Sequence, residues 1–566
     1  MSEIKAPWLE NYGEVKFHLD YHKGTMYDGV MDSVKRLPDF SALKFMGRRI
    51  SYSYLAAMID KVAASFVAMG VKPGMVVTIC LPNVPQAVYC LYALNKIGAV
   101  ASMIHPLSAV GEIEFYLKEV ESRFVVTLDQ FYDKLSEVIS KVPVNKLIIT
   151  SVADELSFVM SVGYKLTQGK NNPKVATHEN VIVWKDFLSA GDKITVERYE
   201  KSKREDCAVI LFSGGTTGTT KAIALSNLNF NALALQTCVM CNRDIEKTSM
   251  LAAMPIFHGF GLGVCIHTMM IAGGTSILVP RFNVKEYAEL IKKNRPNYIA
   301  GVPTLFEAIS RSASLDGVKL DCLMGVFSGG DSLSIELKKK IDGFLKDHGA
   351  TIRVREGYGT TECVTASCLT PYHIEREGSI GFPYPDTYYK ICETGTTDEV
   401  PYGQEGEICL TGPSVMLGYI NKPDENAITL RKHADGHVWL HTGDLGVMDS
   451  EGFIYFKQRI KRMIITSGYN VYPSQIENVI DAHDSVQYSC VIGVNDEYKM
   501  QKVKAYVVLK QGIVPTDALK EELLEHCRRH IAKYAMPYEI EFRSELPKTL
   551  VGKIAYTVLE KEAMSA

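Results

Sequence analysis

Apolar positions along the chain follow two rhythms, and their succession sets out a fold. Tyr54-Leu55-Ala56-Ala57-Met58-Ile59 through Phe66-Val67-Ala68-Met69 keeps helical spacing and stops at Gly70; Val76-Val77-Thr78-Ile79-Cys80-Leu81 then runs apolar for a strand's length before Pro82. A helix around Gln86 to Ile97 and a strand at Ala99 to Ile104 continue the alternation. The same order returns later, with a helix over Val284 to Lys293 before Tyr298 to Val302, and Leu323-Met324-Gly325-Val326-Phe327 running into Ser328-Gly329-Gly330. Such alternation predicts an α/β protein with mostly parallel sheets and flanking helices, whose strand-end glycine turns gather at the carboxyl edge where ligands bind.

Two stretches change this picture. Gly261 to Pro280 contains no Asp, Glu, Lys or Arg and is nearly long enough to span a bilayer, but Gly273-Gly274-Thr275-Ser276 cuts it into a helix-length piece and a short strand at Ile277 to Val279. It reads as a buried α/β unit, with no transmembrane segment. Past residue 380 short strands and Gly/Pro turns predict a β subdomain on the same body, and from Gln458 onward the pattern becomes that of a small independent α+β domain.

Length and composition narrow the function classes. A chain of 566 residues, 46% hydrophobic, exceeds what one core usually holds, so at least two domains are expected. Against 62 basic residues stand 65 acidic ones, a net charge of -3 that gives nucleic acid no attractive surface. Thirteen cysteines read as reduced thiols without a zinc framework. The first residues lack the layout of a signal peptide and the last lack a prenylation cysteine, so a cytoplasmic protein is expected; peripheral membrane contact stays open.

The candidate chemistry begins where Ala208-Val209-Ile210-Leu211-Phe212, a buried-strand run, breaks into Ser213-Gly214-Gly215-Thr216-Thr217-Gly218-Thr219-Thr220-Lys221. Glycines let backbone N–H groups approach an anion, five hydroxyls add donors and Lys221 adds a full charge, so the segment suits phosphate. A flexible linker is the plainer reading of such composition. A Walker A loop is disfavoured, because Thr220 and Ala222 stand where it needs Gly and Ser or Thr.

The loop resembles the phosphate-binding signature of the AMP-forming adenylating enzymes: acyl-CoA synthetases, firefly-type luciferases and peptide-synthetase adenylation domains. It departs from them at Thr220, for the usual proline, and at Ala222, for the last glycine. Further signatures follow in the family's order: Tyr358-Gly359-Thr360-Thr361-Glu362, His441-Thr442-Gly443-Asp444, Gln458-Arg459-Ile460-Lys461 with Gly468 to Pro473 and Glu477, and Pro547-Lys548-Thr549 with Gly552-Lys553. The likeness covers roughly residues 45 to 560.

The resemblance implies a role for each position. Ser213, Gly214, Gly215, Thr216, Thr217, Gly218 and Lys221 would hold the phosphates of ATP, with Thr217 counted among the catalytic residues. Gly329, Gly330, Tyr358, Gly359, Thr360 and Thr361 would line the nucleotide and acyl pocket, Tyr358 against adenine. Asp444 would accept the ribose hydroxyls with Arg459 behind it, and Glu362 would hold Mg2+, a hard cation that prefers oxygen. Lys553 would bring its charge between the incoming carboxylate and the α-phosphate, and His258 would gate the acyl tunnel. Lys461 is the implied hinge between an N-terminal domain, 1–460, and a small mobile C-terminal domain, 461–566, whose Gly468 and Tyr469 would line the approach of coenzyme A. Ile465 replaces a lysine found in some relatives, so no thiolation role is assigned there.

Plainer readings compete at several positions: a turn residue for Asp444, a solvated charge for Arg459, packing for Tyr358 and a core histidine for His258. The ordered set outweighs them. Ser332, in Gly330-Asp331-Ser332-Leu333, imitates a hydrolase turn but follows an internal strand, and it is rejected as a nucleophile. Amino-acid adenylating relatives carry an aspartate after the phenylalanine where His258 follows Phe257. The stretches Phe257 to Gly263, Gly301 to Phe306 and Val364 to Cys368 are apolar or small, which suits a hydrophobic acid. The implied activity is acyl-CoA ligation, with medium- to long-chain fatty acids favoured over aryl or bile acids. The alternatives are an acyl-AMP ligase serving a carrier protein, a non-catalytic binding relative, and a luciferase-type monooxygenase.

Overall fold

The computed structural model describes residues 4–213, 220–466, 469–496, 498–549 and 552–565. Two α/β sheets make up the body. In one, the strands Cys207–Phe212, Val100–Met103, Val76–Cys80, Phe124–Leu128, Lys146–Thr150 and Val181–Val183 lie parallel in that order. Ala222–Ser226 and Gly418–Tyr419 extend it antiparallel beyond Cys207–Phe212. In the other, Val354–Tyr358, Gly325–Gly329, Tyr298–Gly301, Ser249–Ala252, Thr275–Leu278 and Ser41–Phe45 run parallel, with antiparallel strands at both edges. The helices Tyr52–Ala68 and Pro85–Lys96 pack between such strands; every residue of the second is buried, which is why its sequence shows no polar face.

Element limits follow from local chemistry. The first of these helices opens two residues ahead of the apolar pattern, at Tyr52, because the Ser51 hydroxyl caps it by accepting the Tyr54 N–H at 3.1 Å. The strand expected at Leu323 to Phe327 is shifted to Gly325–Gly329, so Ser328 and Gly329 belong to the sheet and only Gly330, at φ +81°, leaves it. The charge-free stretch is not one α-helix: Phe260–His267 winds as a π-helix and Thr268–Ala272 as an α-helix, and Gly273, at φ +78°, ends the turn. Thr275 and Ser276, read as part of the break, pair in the strand. Among the described residues no helix is long and apolar enough to cross a membrane.

An antiparallel sheet of Tyr388–Cys392, Glu405–Thr411, Leu430–Lys432, Val438–Met448 and Ile454–Arg459 is the β subdomain. The C-terminal α+β domain has its own five-stranded sheet around Val486–Asp496 and Met500–Leu509, with the helices Pro473–Asp481 and Asp517–His530. The principal core runs from Trp8 to Ile454, and a separate one links Ile464 to Ile540.

Candidate active site

Strand register sets one side of the site. Val438–Met448 and Ile454–Arg459 pair antiparallel with Asp444 directly opposite Arg459, and the guanidinium Nε lies 3.4 Å from the buried carboxylate. The Tyr358 hydroxyl, at the end of its strand, donates to the other Asp444 oxygen at 2.8 Å. Asp444 Oδ1 accepts no hydrogen bond among the described residues although it is buried, so an acceptor is left for a hydroxyl-bearing ligand. Burial raises the Asp444 carboxyl above its ordinary range, while Arg459 and the Tyr358 hydrogen bond pull it back.

Glu407 fixes the loop that carries Asp444. One of its carboxylate oxygens accepts the Gly443 N–H at 2.9 Å and the other pairs with His441 Nδ1 at 2.8 Å; His441 Nε2 meets His433 Nε2 at 2.9 Å. Glu407, Cys409 and His441 hold three metal-type donor atoms within 4.8 Å of one another, a cluster that distant sequence positions concealed. Its carboxylate and imidazole already bind each other, so it reads as a hydrogen-bonded brace for the Asp444 loop.

A partly open cleft lies beside this pair. His258, Gly329, Gly330, Tyr358, Gly359, Thr360, Thr361, Arg459 and Lys553 all face it, over an apolar floor that includes Phe260, Val264, Phe327 and Leu369. Gly359 is required there, because a Cβ would lie 1.7 Å from the Thr365 carbonyl oxygen. Lys553 reaches the cleft on a short turn, where its own N–H donates to the Thr549 hydroxyl at 3.1 Å and the Thr304 hydroxyl donates to the Gly552 carbonyl at 3.1 Å. Burial lowers the Lys553 ammonium from its ordinary value; the Asp331 carboxylate opposes this. The His258 imidazole is pushed down to about 3 by burial and by the charge of Lys553, so it is neutral; its Nδ1 accepts the Phe260 N–H at 3.3 Å, which leaves the ring proton to Nε2.

A second group adjoins the cleft without lining it. Ser213 and Lys221 close the neck of the glycine loop through Ser213 N–H to Lys221 O and Lys221 N–H to Ser213 Oγ, both 3.0 Å. The Lys221 ammonium pairs with Glu425 and lies 4.6 Å from the centre of the Tyr419 ring, while the Tyr419 hydroxyl donates to Glu362 at 2.8 Å. Tyr419 therefore links Lys221 to Glu362, the carboxylate expected to hold a metal. Tyr419 and Glu425 were not singled out from sequence, because both lie some two hundred residues beyond the loop, with no motif around them to mark them.

Gly214, Gly215, Thr216, Thr217, Gly218 and Gly468 lie outside the described residues. Lys461 is exposed in a turn, and Tyr469 stacks on Tyr534 with ring centres 4.5 Å apart, so neither reaches the cleft in this arrangement. Of the three stretches expected to form the pocket, Gly301 to Phe306 does not line it; its Thr304 holds the Lys553 turn instead. Behind the Thr365 wall, Val364 adopts φ +66°, ψ -58° and the Thr365 N–H bonds the Cys363 carbonyl at 2.8 Å, a γ-turn rarely taken by a β-branched residue. Gly259 packs against it so closely that a Cβ would lie 1.6 Å from the Val364 carbonyl oxygen.

Two α/β sheets, a β subdomain and a lysine-bearing α+β domain around one cleft are the build of an adenylating enzyme. The family model of the AMP-binding enzyme matches residues 30–420 and that of the AMP-binding enzyme C-terminal domain residues 475–553; the chain belongs to this family. A long-chain-fatty-acid–CoA ligase of Bacillus subtilis (strain 168) is 34% identical over 562 residues, covering 98% of this chain and 97% of that protein. Another, from Escherichia coli O6:H1, is 31% identical over 577 aligned positions, with 99% of each covered. The crystal structure of ATP-bound MatB from Rhodopseudomonas palustris matches with a TM-score of 0.82 at 25% identity, over 96% of this chain and 99% of that one.

Proposed function

We propose that the protein is an ATP-dependent acid–thiol ligase that converts a medium- to long-chain fatty acid into its acyl-CoA. The observation that carries this reading is the meeting of Lys553, His258 and the Tyr358–Asp444–Arg459 set around a cleft with an apolar floor. The relatives named as long-chain-fatty-acid–CoA ligases support the choice of acid and thiol.

A fatty carboxylate is a poor electrophile until one of its oxygens is given a leaving group. In the proposed first step a carboxylate oxygen bonds to the α-phosphorus of ATP while the bond to pyrophosphate breaks, leaving acyl-AMP. Two anions must approach, and Lys553 lowers the cost by placing positive charge between them. Asp444 Oδ1 suits a ribose hydroxyl, and Tyr358 and Arg459 hold that carboxylate in place. Glu362, an oxygen donor tethered by Tyr419 near the neck of the glycine loop, suits Mg2+, which would screen the phosphate charge. In the second step the coenzyme A sulfur bonds to the acyl carbon, its proton passes to solvent and AMP leaves. Neutral His258, beside the acyl end of the cleft, acts as a gate without contributing a proton.

The reading also places the domain boundary at 460/461, with Lys461 as hinge and 461–566 moving between the two steps so that Tyr469 turns toward the thiol path. A cytoplasmic location is proposed on the thirteen free thiols. Pyrophosphate release across a panel of carboxylic acids, with and without CoA, tests the proposal: turnover that rises with acyl length and requires CoA is expected. A single CoA-insensitive turnover would instead assign the acyl group to a carrier protein.

A further inference from the structure

The helix Phe158–Leu166 breaks a rule that longer helices such as Tyr52–Ala68 and Val284–Asn294 obey, that one face is buried. None of its nine residues is buried, and five large apolar side chains stand in solvent: Phe158 at 84% and Leu166 at 70% exposure, with Val159, Met160 and Val162. Phe158, Val162 and Leu166 recur every four residues, and Val159 lies beside them, so they form one apolar stripe. A helix this short has little stability alone and normally gains it by burying such a stripe. Here the stripe faces outward.

Charge identifies what would cover it. From Leu156 to His178 the only charged side chains are Lys165, Lys170 and Lys174, in a protein whose net charge is -3. All three are exposed, and none forms a salt bridge among the described residues. Lys165, seven residues beyond Phe158 and three beyond Val162, borders the apolar arc, where a long side chain can keep its ammonium at the polar boundary. The acids at the near end are engaged within the fold: Glu155 pairs with Arg48, and Asp154 accepts from Thr150 and Ser151. An apolar stripe bordered by Lys165 and followed in the chain by two more exposed lysines suits a segment that lies in the plane of an anionic membrane surface. No helix of the described chain can cross a bilayer, so contact of this kind would be superficial.

We propose that Phe158–Leu166, with Lys165, Lys170 and Lys174, is a docking element for an anionic lipid surface. It follows the strand Lys146–Thr150 and precedes Val181–Val183, at the edge of the eight-stranded sheet opposite to Ala222–Ser226 and Gly418–Tyr419. Docking thus engages a part of the body that takes no share in the cleft, and the proposal stands independently of which acid is the substrate.

The test is co-sedimentation of the full chain with vesicles of equimolar phosphatidylglycerol and phosphatidylcholine, and with vesicles of phosphatidylcholine alone. Binding to the anionic vesicles is expected, falling with added salt. A Phe158→Ser/Leu166→Ser variant should lose at least about tenfold in partitioning. Changing Lys165, Lys170 and Lys174 to Gln should cost about fivefold per lysine on anionic vesicles and little on neutral ones. Both variants should keep native circular dichroism and native turnover of a short, water-soluble acid. Native-like vesicle binding by the serine variant overturns the proposal. So does a native dimer by light scattering that the serine variant dissolves while vesicle binding is absent, because the stripe would then be covered by a second copy.

Discussion

The N-terminal body and the C-terminal domain contribute to the same cleft by different physical means. The body holds its part with buried groups hydrogen-bonded to one another: the Tyr358 hydroxyl on Asp444 and the Glu407 carboxylate on the Gly443 amide and His441. The C-terminal domain has a separate core and reaches the body through a few polar contacts, among them Thr304 to Gly552, Gln487 to Glu307, Tyr472 to Glu405 and Ser474 to Lys457. Such contacts lie in water-accessible seams and hold weakly compared with a packed core. One half of the site is built into the fold and the other is brought to it by a separately packed domain, as the proposed alternation between two half-reactions would require.

That contrast can be broken most severely at Lys553. Lys553→Ala should slow acyl-adenylate formation by roughly a hundred- to a thousandfold, read as pyrophosphate release. Thioester formation from preformed acyl-AMP should change little, since the proposed second step has another face of the domain at the cleft. Equal loss in both steps would mean that the two share one arrangement. Next in size is Gly259→Ala, whose Cβ would meet the Val364 carbonyl at 1.6 Å in the body. Overpacking of this kind should cost about 1–3 kcal/mol, and calorimetry should show the body's transition lowered and the C-terminal one unmoved. If both shifted together, the two regions would be one cooperative unit.

Acid separates the regions as well. His267 is fully buried in the body between the Tyr92 hydroxyl and Asn231, both at 3.0 Å, and burial pushes its imidazole down to about 3. The unfolded chain binds the proton at the ordinary histidine value, so stability is complete above about pH 6.5 and falls as pH drops toward 3, by about 1.4 kcal/mol per unit. His267→Gln should flatten this slope in denaturant titrations at successive pH values; an unchanged slope would place the acid sensitivity elsewhere. Asp444→Asn removes the charge facing Arg459 and should raise the KM for ATP roughly tenfold, with a smaller change in kcat. The smallest effect is expected at Glu425→Gln. Freed from a half-exposed pair, Lys221 should serve the phosphates more readily, and KM for ATP should fall by less than about fivefold. A rise would show that Glu425 orients the lysine.

Much of the fold was legible because local rules and tertiary packing agree. The helices Tyr52–Ala68 and Val284–Asn294 and the strands Val76–Cys80 and Tyr298–Gly301 lie within a residue or two of their apolar patterns. Where they disagree, tertiary context decided. Within the charge-free stretch Phe260 to His267 winds as a π-helix, which could not be foreseen because hydrophobic patterning without a polar face does not distinguish one helical pitch from another. The Ser328–Gly329 turn was drawn into the sheet by its register with Gly301 and Gly357.

For the site the division is similar. Its motif residues could be named because they stand in motifs that resemble the family's, and Tyr358, Asp444, Arg459 and Lys553 do meet although nearly two hundred residues separate the first from the last. Tyr419, Glu425, Glu407 and the outward face of Phe158–Leu166 could not be named. Their parts depend on which strand lies beside which and on what is left uncovered after packing. The sequence alone determined the family, through motifs that resemble the family's and follow in its order, and much of the order of the elements, because periodicity and turn residues act within a few turns of chain. Only the tertiary structure decided which carboxylate braces the Asp444 loop, which residue links Lys221 to Glu362 and which apolar stripe remains in water, because those are contacts across distances that no local pattern encodes.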